Sequence, residues 1–167
     1  MTVAGGGFIV NRVQSGDNMP KKVKTSDDRY DLFNQTLLIE WKPEYNLGIP
    51  IIDEQHRGIV TTINSFYFGM QNNHGANLLR PVIGMIKEYT RIHFEIEEDF
   101  LRKYKYPGLE RHHELHYDLI QELTKVGKES LLSQDPDKFM KFLRKWWIDH
   151  ICEEDRLFLD YLLATLR

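Results

Sequence analysis

Two pairs of potential metal ligands, each spaced by four residues, flank a tight turn near the middle of this chain and restrict its fold more than any other feature. His93 and Glu97 stand before the turn Tyr106-Pro107-Gly108, and His112 and His116 stand after it. On an α-helix a step of four leaves two side chains about 40° apart and about 6 Å along one face. Helices joined by a short turn are antiparallel neighbours, so the two pairs can face each other across a bundle. Imidazole and carboxylate together suit iron, zinc or copper, and four convergent donors make most of a metal site.

The totals narrow the possibilities. The chain has 167 residues, a net charge of −3 and 28% charged residues. A chain of this length buries roughly two thirds of its unfolded surface, which suits one domain plus a tail. No basic run suits a nucleic-acid backbone, so nucleic acid is not an expected partner. Charges interrupt every apolar stretch well before the roughly 20 residues of a membrane span, and a soluble protein without a span is expected. MTVAGGGFIVNRV has no long apolar core behind a basic start, so no secretory signal is expected. The single cysteine, Cys152, excludes an internal disulfide and points to the cytoplasm.

Residues 1–40 read as a flexible N-terminal arm or linker. They hold the glycine triplet Gly5, Gly6, Gly7 and the cluster Lys21, Lys22, Lys24, then a short apolar run from Leu32 to Ile39 that suits a strand-like or a helical piece on the main body, its role left open. The region 41–167 reads as the folded domain. Trp41–Ile52, punctuated by Pro43, Gly48 and Pro50, suits an extended segment laid over a bundle through Trp41, Tyr45, Leu47 and Ile49. Asp53 is placed as the N-cap of a first helix running to about Asn72, with His56, Ile59, Val60 and Ile63 on its apolar face. After a turn at Asn72–Gly75, in which His74 reads as a surface residue, a second helix runs from about Ala76 to Tyr104. Leu79, Val82, Ile83, Ile86, His93 and Leu101 face inward, Pro81 sits in an early turn, and Glu95 and Glu98 read as solvated charges. The third helix, from about Leu109 to Leu132, carries His112, His116 and Leu123 inward, with His113 off that line.

Asp135 and Pro136 supply a cap and first residue for a last helix reaching about Thr165. Trp146 and His150 share its inner face. Three acids follow. Helical geometry favours Glu154, four after His150, over Asp155, which at five lies about 140° away. Spacing alone leaves the two carboxylates in competition.

The order His56, then His93 and Glu97, then His112 and His116, then His150 and Asp155, on four successive helices, resembles the hemerythrin family, and WKPEYNLGIPIIDEQH, HFEIEE and WWIDHI are similar to bacterial hemerythrins. The resemblance covers about Trp41 to Leu166. It implies an all-α, up-down-up-down four-helix bundle with an N-terminal extended arm. It also implies two iron ions bridged by an oxo or hydroxo group. One iron takes His112, His116 and His150, the other takes His56 and His93, and Glu97 and Asp155 bridge them. The family places its last carboxylate five after the histidine, which selects Asp155 and requires the helix to open or the side chain to reach. Leu101 stands where a family pattern often has methionine; it belongs with Ile59, Ile96, Trp146 and Ile151 among the expected apolar neighbours of the site.

The function implied is a non-haem di-iron protein that reversibly binds O2 at a five-coordinate iron, for oxygen transport, storage, delivery or sensing, and not an enzyme. The alternatives are a di-iron redox or iron sensor, or an oxidase, peroxidase or NO-reducing enzyme. Carboxylate-rich di-iron enzymes build their sites on Glu-x-x-His pairs, unlike the His-x-x-x-His and His-x-x-x-Glu here. O2 is thus the expected ligand, with a partner protein or fused domain reached through the arm.

Overall fold

A computed structural model of the chain describes residues 37–165. Most of the arm expected at 1–40 lies outside these residues, as do the basic cluster and the start of the run from Leu32. Four helical rods follow one another as neighbouring antiparallel elements: α1 (Pro50–Gln71), α2 (Gly75–Lys103), α3 (Leu109–Ser133), and a continuous fourth rod. That last rod consists of α4 (Pro136–Trp146), a π-helical stretch (Trp147–Glu154) and α5 (Asp155–Thr165). The fold is the all-α four-helix bundle expected, and no helix among the described residues is long and apolar enough to cross a membrane.

The three connections end their helices in the same way. Asn73, Lys105 and Gln134 each take a left-handed backbone conformation, with φ of 61°, 56° and 53°. The next residue then donates its N–H five residues back: His74 to Gly69 O (2.8 Å), Tyr106 to Leu101 O (3.0 Å) and Asp135 to Ser130 O (3.0 Å). These bonds satisfy carbonyls that a helix end leaves open and turn the chain sharply. The expected cap before the fourth rod is present, since Asp135 accepts the Lys138 N–H at 3.0 Å and Pro136 is the first helical residue.

The first helix corrects two expectations. It begins at Pro50, where a missing N–H costs nothing, so Pro50 is inside the helix and Asp53 is not its N-cap. Asp53 instead reaches backward: its carboxylate accepts the N–H of Leu47 (2.7 Å) and of Gly48 (3.1 Å), whose φ is +76°. This anchors the lead-in segment and directs Leu47 and Ile49 into the core. Further back, Asn64 accepts the N–H groups of Leu38 and Ile39 and donates to Ile39 O. Trp41 and Tyr45 pack on Trp147, and the Arg57 guanidinium lies over the Trp41 ring at 4.2 Å.

The apolar interior is in two parts. A large cluster contains Ile59, Val60, Ile63, Phe66, Leu79, Ile86, Phe94, Leu123, Phe139, Leu143, Trp146, Trp147 and Ile151. A smaller one, at the end where the lead-in packs, contains Leu47, Ile49, Ile52, Leu101, Phe158 and Leu162. On α1 the order is Ile52, His56, Ile59; on α2 it is Phe94, Glu97, Leu101; on the fourth rod it is Ile151, Asp155, Phe158. A polar layer therefore separates the two apolar clusters. Because Asp53 holds the lead-in over the smaller one through two charge-assisted bonds, Asp53→Ala is expected to destabilise the fold by about 2 kcal/mol. Chemical denaturation of the metal-free protein measures this.

Candidate metal centre

The polar layer contains all seven residues singled out in the sequence. Glu97, His112, His116, His150 and Asp155 form one cluster whose candidate ligand atoms lie within 4.8 Å of one another, and His56, His93 and Asp155 form a second by the same measure. Asp155 belongs to both. Its Oδ2 lies 3.3 Å from His56 Nε2, while Oδ1 lies 3.5 Å from His112 Nε2 and 3.4 Å from His150 Nε2. Glu97 is also shared, with Oε1 3.7 Å from His112 Nε2 and Oε2 3.6 Å from His93 Nε2 and 3.4 Å from His116 Nε2. All seven residues are buried.

Asp155 reaches this position because the helix opens. Its N–H donates to His150 O, an i→i+5 bond, and the whole stretch Trp147–Glu154 is π-helical. A turn closed by i→i+5 bonds is wider than a regular one and brings the fifth residue much nearer the face of the first, so most of the 140° offset of a regular helix is removed. Glu154 is instead engaged outside the layer, in a two-pronged ion pair with Arg111 of α3 at 2.7 and 2.9 Å. The competition between the two acids is thus resolved by backbone geometry.

The layer has donors in the wrong number to satisfy itself. His56 Nδ1 and Nε2, His93 Nε2, His112 Nε2 and both oxygens of Glu97 and of Asp155 are buried without a hydrogen-bond partner. Such groups normally cost several kcal/mol each unless something pairs with them. The Nε2 atoms of His116 and His150 stand 3.1 Å apart, a separation at which two lone pairs need a proton or cation between them. Burial lowers the His93 ring to about pKa 3 and the His150 ring to about 4, so both are neutral near pH 7. Burial pushes the Glu97 carboxyl up, but the surrounding His112, His116 and His93 outweigh it and hold Glu97 well below the usual range. The neutral rings of His93 and His150 and the ionised carboxylate of Glu97 are in the protonation states that ligate a transition metal. The donor set fits such an ion.

Three residues around the layer escaped the sequence reading. Glu98, read as a solvated charge, is only 14% exposed; it accepts from His116 Nδ1 and from His113 Nδ1, both at 2.8 Å. Gln55 is buried and accepts from His93 Nδ1 at 3.1 Å. Phe94 stacks on the His116 ring at 3.6 Å with 5° between the planes. The spacings Ile52–Gln55–Ile59 and Thr90–Phe94–Glu97–Leu101, in steps of three and four, were the available signal for Gln55 and Phe94. Glu98 has none, because its contact runs to another helix. Glu95, as expected, is exposed and paired with Arg91, His113 is outside the layer, and His74 is exposed.

An antiparallel four-helix bundle with five histidines and two carboxylates gathered in its core is an arrangement that could hold metal. Residues 47–162 match the hemerythrin HHE cation binding domain, and the chain belongs to the hemerythrin family. It is 31% identical over 127 residues to a bacteriohemerythrin of Clostridium acetobutylicum, covering 72% of this chain and 98% of that one. It is 28% identical over 130 residues to a bacteriohemerythrin of Stenotrophomonas maltophilia, covering 77% and 84%. It is also 21% identical over 112 residues to a myohemerythrin of Theromyzon tessulatum, covering 67% and 83%.

Two expectations follow from the geometry. Asp155→Asn should lower the metal retained after loading and desalting to half or less, while Glu154→Gln should leave it unchanged, as elemental analysis per chain will measure. In the metal-free protein, His93 and His150 resist protonation that the unfolded chain accepts, so stability should fall as pH drops below about 6.5. Each contributes a slope of roughly 1.4 kcal/mol per pH unit down to its folded pKa. His116 is raised, by Glu97 and Glu98 against its burial; its contribution is already complete below that pH and does not offset the slope. Denaturant midpoints between pH 7 and pH 5 measure the trend.

Proposed function

We propose that this chain is a non-haem di-iron protein that binds O2 reversibly. The observation that carries the reading is the set of buried, unpartnered donor atoms shared between two clusters through Asp155. His112, His116 and His150 would hold one iron, His56 and His93 the other, and Glu97 and Asp155 would serve both. Two ferrous ions held there would supply the pair of electrons that O2 requires, and this chain offers two histidines to one position and three to the other.

The chain's own residues favour binding and release over consumption of O2. Five neutral imidazoles and two carboxylates bring less negative charge than an acid-rich shell, which favours the reduced metals. Ile52, Ile59, Leu101, Phe158 and Ile151 are buried above and below the layer, while Phe94 covers His116 and Phe158 approaches the His112 ring edge-on at 5.8 Å. This packing keeps water from the site and slows the loss of partially reduced oxygen. The single cysteine agrees with a cytoplasmic setting, and we assign residues 1–40 to an arm that connects the 41–167 domain to a partner or fused domain.

The test is an anaerobic optical titration of the iron-loaded, reduced protein through several cycles of O2 addition and removal. Reversible binding predicts two irons per chain and an absorption band that rises with O2 and vanishes without it. Direct conversion to a stable oxidised spectrum would replace the carrier reading with that of a redox sensor or oxidase. His112→Ala with His116→Ala should reduce bound iron to one per chain or fewer.

A further inference from the structure

Behind the donor atoms, the two halves of the centre differ. His116 Nδ1 donates to Glu98 Oε1 at 2.8 Å, and the second oxygen of Glu98 accepts from His113 at 2.8 Å, which fixes the carboxylate plane. His116 is 2% exposed and Glu98 14%, so the contact lies at the edge of the core, while His113 at 61% faces solvent. In the other half His93 Nδ1 donates to the neutral amide of Gln55 at 3.1 Å, and His56 Nδ1 is buried without a partner.

An anion that accepts the Nδ1 proton of a metal-bound imidazole draws the ring toward imidazolate and makes its other nitrogen a stronger donor. A neutral amide does this far less, because charge-assisted hydrogen bonds are roughly twice as strong. A stronger donor stabilises the higher oxidation state of the metal it holds. Resting on the di-iron reading above, we propose that Glu98 and Gln55 are positioning residues that set unequal donor strengths, making the metal of His112, His116 and His150 the more easily oxidised of the pair. The fold thereby assigns the electron-rich side to the three-histidine position and leaves the two-histidine position, backed by an amide, the more electron-poor.

The experiment is a mediated spectroelectrochemical titration of the iron-loaded protein under inert gas, with iron counted per chain in every sample. Glu98→Gln keeps an acceptor for His116 but removes the charge, Gln55→Glu adds a charge behind His93, and Glu95→Gln removes an exposed charge from the same helix without touching the centre. The expected result is that Glu98→Gln raises the midpoint potential, Gln55→Glu lowers it and Glu95→Gln leaves it unchanged. Chelator-driven iron loss from Glu98→Gln should be about tenfold faster than from wild type. The inference is overturned if Glu98→Gln retains two irons at the wild-type potential, or if Glu95→Gln shifts the potential as much. Should Glu98→Gln fail to fold or to hold iron, Gln55→Glu decides: a lower potential supports the inference and an unchanged or higher one overturns it. A wild-type chain that takes up no iron overturns the di-iron reading itself, whereas a normal iron count with an unresponsive potential overturns this inference alone.

Discussion

Everything in this bundle is arranged around a layer of charge that its own side chains leave unpaired. Two carboxylates and five imidazoles are packed at full burial between two apolar clusters, with most of the facing atoms lacking partners. Such a layer is costly to a hydrophobic interior until a cation supplies the missing interactions, since unpaired buried polar groups are among the costliest features a fold can carry. The metal-free chain must therefore draw its stability from the apolar clusters and the anchored lead-in, and ligation would add to it by joining all four rods between those clusters. Binding and folding are linked in such a centre.

The fold was largely legible because helix caps, turns and apolar periodicity agree with one another along the chain. Asp135-Pro136, the breaks near Asn73 and Pro107, and the inward run on α2 placed the rods to within a few residues. The beginning of α1 was misread because an acid near a helix start serves equally as a cap for the helix or as an anchor for what precedes it. Asp53 takes the second role, and only the path of Leu47 and Gly48 reveals it. Among the site residues, the pairs at spacing four were readable from helical geometry, and His56 and His150 from their place on apolar faces. Glu98 was not, because whether an acid at the border of a helix face is solvated or buried depends on what the neighbouring helix presents. Here that is His113 and His116.

The choice between Glu154 and Asp155 shows how a local rule fails for a physical reason. A regular helix brings the fourth residue into line, and the chain uses the fifth because its backbone hydrogen bonds lengthen their reach across Trp147–Glu154. The sequence does contain a trace of this. Phe139, Leu143, Trp147, Ile151 and Asp155 are all buried and follow one another in four equal steps of four. On a straight α-helix such a series drifts by about 160° around the axis. Keeping it on one side requires wider turns, and π turns of this kind recur where a helix carries function.

The widened stretch also bears on how such a chain can change length. An extra residue inside a helix rotates everything beyond it by about 100°, which would swing Phe158 and Leu162 out of the smaller apolar cluster. A π turn accommodates the additional residue in the backbone itself, so α5 keeps its facing while one side chain is gained opposite the histidines. Deleting a single residue between Ile151 and Glu154 would thus be a change of register that the bundle can absorb structurally, because it leaves Asp155 four after His150 on a regular turn and still on the histidines' face. The rod behaves as a frame with one removable link, and the facing of α5 and of the carboxylate at its start is kept with or without it.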